Sequence, residues 1–257
     1  MCTRKSKLVL EKSFKEYECD DIKSWTSCLL DVIFPRYCIY SGEAISPDEP
    51  LDYLSKKSLK AINLLVNSTH TISEKRYSEE LPLNKSTDHF PRYRQNMALW
   101  SFDGLGETLI HRLKYQKERF LLLDIEKIIR NIPDVSVFLK DSILVPVPLH
   151  PHRMRQRGFN QSKEIAKILT KIVPSSSVFE SLKRIYYQKS QVGLSRKKRL
   201  KNVKNAFASI DSFLFDKRMR YVIIDDVYTT GATASACATV LLKKGITKID
   251  VFTLAHG

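Results

Sequence analysis

The sequence predicts an α/β fold built on a doubly wound, mainly parallel sheet. Short apolar runs of the strand type alternate with longer segments whose apolar residues recur at helical spacing, and this order is typical of parallel sheets. The predicted strands cover residues 97–102, 143–145, 221–224 and 251–254. The predicted helices cover residues 105–113, 122–132, 165–172 and 234–244. Gly245 follows the last helix and is expected to cap it.

The first part of the chain has a weaker pattern, and residues 1–95 are predicted as a small, mostly helical N-terminal region. Apolar residues at helical spacing predict one helix over 25–33, ended by Pro35, and a second over 54–66. Residues 67–95 are polar and are expected to form a loop or linker. The α/β domain then occupies residues 96–257.

The 257 residues carry a formal net charge of +15, with a pI near 9.6. Such a positive field attracts phosphates of nucleic acid, an anionic membrane or a small polyphosphate, although a lysine-rich solvated surface would give the same charge. No apolar run has membrane-spanning length, and the basic start is not followed by an apolar signal core. The five cysteines form no C-x-x-C pair. These features predict a cytoplasmic protein with no membrane association and no disulfide scaffold.

The strongest motif spans residues 222–233, where an apolar strand leads through two acids and a threonine- and glycine-rich turn into a helix. Ligands of open parallel sheets bind beyond the carboxyl ends of strands, and a helix start offers unpaired N–H groups and a positive dipole end. A phosphate is therefore expected on the turn, and Asp225 and Asp226 are expected to accept hydrogen bonds from a ribose diol. The residues expected at the phosphate are Thr229, Thr230, Gly231, Ala232 and Thr233. The alternative is an ordinary N-capping turn with two exposed acids.

A basic segment follows the prolines that limit strand 143–145. Its cationic side chains are His150, Arg153, Arg155 and Arg157. Guanidinium groups match phosphate oxygens in a fork, so this segment is a candidate for a second phosphate group. The alternative is a solvated basic turn.

A second basic segment, residues 183–204, is dense in Lys and Arg, and no acid occurs from 181 to 210. Like charges at this density predict a mobile stretch unless an anion is bound. Aromatic residues flank the charges at Tyr186, Tyr187 and Phe207, and this combination also suits single-stranded nucleic acid. A plain solvated loop is the third interpretation.

The string at 222–233 resembles the ribose-phosphate signature of type I phosphoribosyltransferases. The chain from about residue 97 onwards resembles one branch of them, the ComF family of competence-associated proteins. Besides the signature, three segments carry the resemblance: 102–115, which includes Leu113-Lys114-Tyr115, 145–161, and 191–207.

The resemblance implies a fold of the type I phosphoribosyltransferase kind that binds phosphoribosyl pyrophosphate with Mg²⁺ held mainly by the donor's own oxygens. Asp225 and Asp226 would be the catalytic acids at the ribose. The pyrophosphate would be bound by His150, Arg153, Arg157 and Arg199. Phosphoribose transfer to an unidentified nitrogen acceptor, linked to natural competence and DNA uptake, is the function expected. The alternative is a non-catalytic accessory of DNA uptake that binds single-stranded DNA and a helicase through its basic face.

Members of this family often carry an N-terminal zinc ribbon with two C-x-x-C pairs. Here Cys38 is the one cysteine left of the first pair, because Ser41 stands at the second position, and no second cysteine pair follows. Structural zinc needs four nitrogen or sulfur ligands. No zinc is expected, and the N-terminal region is interpreted as a degenerate remnant of the ribbon.

Overall fold

A computed structural model describes residues 34–65, 70–71, 92–186, 205–210 and 214–257. Within these ranges the strands are β1 His70–Thr71, β2 Gln95–Ser101, β3 Ser142–Pro146, β4 Ser177–Val178, β5 Leu182–Arg184, β6 Phe207–Ser209, β7 Arg220–Tyr228 and β8 Ile249–His256. The helices are α1 Lys56–Leu59, α2 Gly104–His111, α3 Leu121–Arg130, α4 Pro133–Leu139, α5 Pro151–Arg157, α6 Gln161–Ile172 and α7 Ala232–Lys243. A π-helical turn, Arg112–Gln116, continues α2.

The main sheet has the strand order β1-β2-β8-β7-β3-β4. Its last five strands are parallel, and only the short edge strand β1 runs antiparallel to its neighbour β2. A separate antiparallel pair is formed by β5 and β6. The prediction of an α/β fold with a mainly parallel sheet is confirmed.

Both faces of the sheet are covered, as a doubly wound arrangement requires. Strand residues alternate between the two faces, so β7 contributes Val222 and Ile224 to one core and Tyr221 and Ile223 to the other. The first core also contains the apolar faces of α2, α3, α4 and α6, whereas the second contains that of α7 together with β5 and β6. Because β7 is buried on both faces, its sequence is a continuous apolar run.

Three parts of the sequence prediction need correction. The helix predicted over 54–66 is only the single turn α1, because the chain then extends and Leu64 forms an antiparallel bridge with Trp100. The linker predicted over 67–95 contributes β1 to the sheet edge. Pro133 ends one helix and also begins another, α4, since proline is tolerated in a first turn. The helix predicted over 25–33 lies outside the described residues.

The described N-terminal segment 34–65 packs against the α/β domain. Leu51, Leu54 and Leu59 belong to the same apolar core as the sheet residues. The buried Asp124 of α3 accepts hydrogen bonds from the backbone N–H groups of Asp52 and Tyr53 at 2.8 and 2.9 Å. The segment is therefore fixed to α3 by apolar contact and by charge-assisted hydrogen bonds. Within the described ranges, no helix combines the length and the apolar character that crossing a membrane demands.

Candidate functional site

The candidate site lies at the carboxyl edge of the sheet, where β3 and β7 are neighbours. From β3 the chain passes through α5 and α6 to β4 on one side, and from β7 it passes through α7 to β8 on the other. Connections that leave in opposite directions open a crevice between the two strand ends, and open α/β sheets bind their ligands there.

The strand–turn–helix predicted at 222–233 is present, with a longer strand than expected. Because β7 continues to Tyr228, Asp225 and Asp226 lie within the strand and not beyond its end. Gly231 has a φ of 70° and is the N-cap of α7. The turn borders a small open cleft that also includes Asp225 and Thr253. All five residues predicted to hold a phosphate line this cleft, namely Thr229, Thr230, Gly231, Ala232 and Thr233.

Gly231 stands where a side chain has no room. A Cβ atom at this position would lie 2.5 Å from Tyr228 Oη and 2.9 Å from Tyr93 Oη. The two tyrosine hydroxyls form a hydrogen bond with each other at 2.7 Å. Glycine is thus required by the backbone conformation and also by the tyrosine pair behind it. The first N–H groups of α7, which have no intrahelical acceptor, begin directly after this residue.

The two acids have different surroundings, because successive strand residues face opposite sides of the sheet. Asp226 is buried, and its Oδ1 forms an ion pair with Lys114 Nζ at 2.7 Å. Asp225 accepts hydrogen bonds from Ser162 Oγ at 3.1 Å and from the N–H of Asp226 at 3.0 Å. Ser162 belongs to the first turn of α6, so the Asp225 carboxylate joins that helix to β7.

Burial, and then the negative charge of Asp226, raise the pKa of Asp225 to about 7. Lys114 and the hydrogen bonds from Asp226 and Ser162 act in the opposite direction. Asp225 therefore changes its charge near neutral pH, and a ligand that supplies hydroxyl donors or a cation would favour its ionised form.

The π-helical turn after α2 places Lys114 and Tyr115 beside the site. Lys114 reaches Asp226, and the Arg157 guanidinium lies over the Tyr115 ring at 5.6 Å from its centroid. π-Helical turns often occur at functional sites because the extra residue redirects side chains. Lys114 and Tyr115 had no role in the sequence prediction beyond their place in the resembled motif.

The basic segment predicted to bind pyrophosphate is the helix α5, preceded by its N-cap His150. No residue of α5 is fully buried: Arg155 is exposed, and Arg153 and Arg157 are half-buried. Arg153 Nη1 donates to Gln156 Oε1, and Arg157 Nη1 donates to Gln161 Oε1, both at 3.2 Å. Partial desolvation and then the positive charge of Arg184 lower the pKa of His150, as do His152 and Arg155.

Asn160 ties this basic segment to the sheet. Its side-chain amide donates to the Val147 carbonyl at 3.0 Å, and its Oδ1 accepts from the Ser162 N–H at 3.1 Å, which caps α6. The structure thus brings His150, Arg153 and Arg157 to the strand end next to the acids.

Arg184 is a candidate site residue that the sequence prediction missed. It lies on β5, its guanidinium is 5.3 Å from the centroid of the Phe207 ring, and its buried Nε has no hydrogen-bond partner within the described ranges. Burial lowers the pKa of Arg184, the negative groups of Cys237 and Asp225 raise it, and the charges of Arg153 and Arg157 lower it. The same guanidinium therefore interacts with Asp225 of β7 and with Arg153 and Arg157 of α5.

The prediction of a mobile basic stretch from residue 183 is wrong for its first residues, since Lys183 and Arg184 pair with β6. In the structure, Leu182 is buried, Lys183 is exposed and Arg184 is half-buried, and this alternation is the pattern of a strand. Arg199 and most of this stretch lie outside the described residues, so the role predicted for Arg199 stays a prediction.

The fold and the site define a class of α/β protein whose candidate ligand site combines an acid pair, a glycine turn at a helix start and a cluster of cations. No protein-family model matches the chain. Among curated proteins, it is 30% identical over 154 residues to competence protein F of Haemophilus influenzae, covering 58% of this chain and 67% of that protein. It is 30% identical over 184 residues to the DNA utilization protein YhgH of Escherichia coli K12, covering 68% of this chain and 78% of that protein.

A third relative is the competence protein ComFC of Bacillus subtilis, which is 29% identical over 171 residues, or 64% of this chain and 65% of that protein. The chain belongs to the ComF family.

Proposed function

We propose that the chain binds phosphoribosyl pyrophosphate at the cleft between β7 and α7. The observation that supports this proposal most strongly is that residues 222–233 form a strand, a turn with a left-handed glycine and a helix start, beside the cations of α5. The ligand's 5-phosphate would accept hydrogen bonds from the first N–H groups of α7 and from the hydroxyls of Thr229, Thr230 and Thr233. These residues line the cleft.

The ribose would lie between the two phosphate sites, with its hydroxyls donating to Asp225 and Asp226. Asp226 is held by Lys114 at 2.7 Å, and the lysine would remain as the counter-charge of the acid pair. Ionised carboxylates accept strong hydrogen bonds and stabilise positive charge that develops on the ribose.

The pyrophosphate would be bound by His150, Arg153, Arg157 and Arg199, and Arg184 joins this set. A buried guanidinium without a hydrogen-bond partner is costly, so Arg184 Nε has donor capacity that a phosphate oxygen would satisfy. Its electrostatic interactions with Asp225 and with two arginines of α5 support this role.

Mg²⁺ would be held mainly by phosphate and water oxygens, because it binds proteins through one or two carboxylates and keeps several waters. Asp225, which lines the cleft, is a hard oxygen donor and fits this role, whereas Asp226 is already paired with Lys114. The ion would offset the charge of the pyrophosphate.

In the transfer reaction, the bond from ribose C1 to a pyrophosphate oxygen breaks, and its electron pair leaves with the pyrophosphate. The lone pair of a nitrogen acceptor forms the new C1–N bond, and the proton of that nitrogen passes to water. The chain's own contribution is to hold the donor and stabilise both developing charges, as in other reactions through an oxocarbenium-like transition state.

Isothermal titration of the protein with phosphoribosyl pyrophosphate and Mg²⁺ tests the proposal. The Asp225→Asn/Asp226→Asn and Arg184→Met variants should both lose affinity, whereas Asp216→Asn and Arg218→Met should not, because that exposed pair lies away from the cleft. Each lost contact with a charged group predicts a decrease of at least about tenfold. Absence of binding by the folded wild type, or unchanged binding by the double Asp variant, would refute the proposed ligand.

The names of the relatives support a role in competence and DNA utilisation. A second candidate function is therefore the binding of single-stranded DNA and a helicase by the basic face, favoured by the net charge of +15 and by the exposed Tyr186 beside Lys183. In a fluorescence anisotropy assay, DNA affinity should fall steeply with salt because each neutralised phosphate releases counterions. An affinity independent of salt would argue against the basic face as the DNA site.

A further inference from the structure

Two turns of the N-terminal segment lie next to each other at the buried thiol of Cys38. The first turn contains Cys38 and Ser41, and it is closed by a hydrogen bond from the Gly42 N–H to the Cys38 carbonyl at 2.8 Å. The second contains Ser55 and Ser58, where Ser55 caps α1 and accepts from the Ser58 N–H at 3.2 Å. Each turn places its two polar residues at the x-x spacing of paired metal ligands.

We term Cys38, Ser41, Ser55 and Ser58 the Cys38 cluster. Cys38, Ser58 and Ser55 are buried and linked by hydrogen bonds, whereas Ser41 is exposed and its Oγ lies 3.4 Å from Glu43 Oε2. Ser58 Oγ is 3.1 Å from Cys38 Sγ and accepts from Ser55 Oγ at 2.9 Å. Burial alone would raise the pKa of Cys38, but hydrogen bonds from the side chains of Ser41 and Ser58 and from the backbone of Ser41 and Ser55 lower it to about 6. Each turn therefore contributes hydrogen bonds to the same sulfur.

The cluster is also close-packed with the main core. Cys38, Ser55 and Ser58 are at most 4% exposed, and the Ile39 N–H donates to the Tyr53 carbonyl at 3.0 Å, which holds the two turns together. Three of the four polar residues are thus buried, and the two adjacent turns have the arrangement of a small two-turn metal site.

The donor set does not fit the zinc that the family's ribbon would hold. Structural zinc is held by four thiolate or imidazole ligands, and this cluster offers one sulfur and three neutral hydroxyls. In the described part of the chain, no group of three or more His, Cys, Asp or Glu side chains is arranged for a metal. Cys38, Ser55 and Ser58 instead satisfy one another, which leaves little free donor capacity for an ion.

We infer that the Cys38 cluster is a four-ligand metal site converted into a metal-free, hydrogen-bonded cluster. Serine hydroxyls now make the cross-links between the two turns that the metal would make. The N-terminal segment is thus held in place without zinc, and the turns keep a geometry from which a zinc site can be restored by exchanging oxygen for sulfur.

The first test uses the full-length wild-type protein. Its zinc content after purification should be far below one ion per chain, and its thermal unfolding midpoint should not change when a strong chelator is added. Zinc at one equivalent, or a midpoint lowered by the chelator, would overturn the inference. Because this test needs no variant, it stands even if a substituted protein fails to fold.

The second test restores the thiolates with Ser41→Cys/Ser55→Cys/Ser58→Cys. This variant should bind one equivalent of Co²⁺ with the visible absorption of tetrahedral thiolate coordination, and its unfolding midpoint should rise with added metal. A matched variant carries three cysteines at exposed serines of other elements: Ser46→Cys/Ser136→Cys/Ser177→Cys. If the first variant is folded and binds Co²⁺ no better than the matched variant, the retained geometry is refuted.

A third measurement isolates the hydrogen bonds. Ser58→Ala removes the partner of both Cys38 Sγ and Ser55 Oγ and should lower the unfolding midpoint, whereas Ser136→Ala, on the exposed face of α4, should leave it unchanged. Equal midpoints for these two variants would contradict a cross-linking role of the cluster.

Discussion

Replacing Gly231 with alanine places a methyl group against the tyrosine pair behind the β7–α7 turn. The new Cβ would lie 2.5 Å from Tyr228 Oη and 2.9 Å from Tyr93 Oη, which are closer than atoms can approach without displacement. The backbone φ of 70° adds a conformational cost for any residue with a side chain. The substitution therefore combines two separable penalties, one from the backbone and one from the contact.

Gly42→Ala supplies the matched control, because Gly42 has a φ of 72° and a Cβ there meets nothing within 4 Å. Its free energy of unfolding should decrease only by the cost of the backbone conformation, about 1–2 kcal/mol. Gly231→Ala should lose about 1–3 kcal/mol more, since the tyrosine hydroxyls must separate and the side chains must move.

The assay is urea-induced unfolding of both variants, of Tyr228→Phe and of the double variant Tyr228→Phe/Gly231→Ala. Removing Tyr228 Oη removes the closest contact, so the two substitutions should be non-additive, with a coupling free energy of about 1 kcal/mol. Equal losses for Gly42→Ala and Gly231→Ala, or strict additivity in the double variant, would refute the close approach at the turn.

Three further predictions concern charge. The folded pKa of Asp225, about 7, lies above its ordinary value of 3.8. Between these two pH values the folded state keeps a proton that the unfolded state has lost. The free energy of unfolding therefore decreases as the pH rises from the lower value to the higher one. In Asp225→Asn, urea unfolding at about pH 5 and about pH 8 should show this decrease reduced by about 1–3 kcal/mol, and parallel behaviour of the two proteins would contradict it. Lys114→Met should raise the pKa of Asp225 further, as measured by NMR titration of the carboxyl, whereas Lys117→Met, at an exposed site, should not. Equal pKa values of Asp225 in the two variants would contradict the interaction of Lys114 with the acid pair. Asp250→Ala should cost about 3–5 kcal/mol in urea unfolding, because the fully buried Asp250 is paired with two arginines, and a loss under about 1 kcal/mol would contradict that role.

The sheet could be predicted from the sequence because its central strands are buried on both faces. Such strands are continuous apolar runs, and β7 and β8 are found where these runs occur. The strand ends could not be placed, since Asp225 and Asp226 continue the strand through hydrogen bonds with β8 that no local pattern records. Helix α5 was missed because none of its residues is buried, so it has no apolar periodicity.

The turn residues of the candidate site could be predicted because the chemistry is local, with glycine, threonine and acids adjacent in sequence. Arg184 could not be assigned in the same way. Its position depends on the pairing of β5 with β6, and the two strands are separated in the sequence by residues 185–206. Similarly, Ser55 and Ser58 meet Cys38 only because the second turn folds back beside the first.

The order of charges along the crevice restricts which ligand can fill it. Arg184 interacts electrostatically with Asp225 and also with Arg153 and Arg157, so the acids of β7 and the cations of α5 act on the same crevice. A ligand with one phosphate would satisfy the start of α7 and leave the cations of α5 unused. A pyrophosphate alone would meet those cations and would also meet the repulsion of the acid pair. A molecule with phosphate groups at both ends and hydroxyl donors between them matches the cations, the acids and the helix start in turn, and this order is the strongest physical argument for a phosphoribosyl pyrophosphate donor.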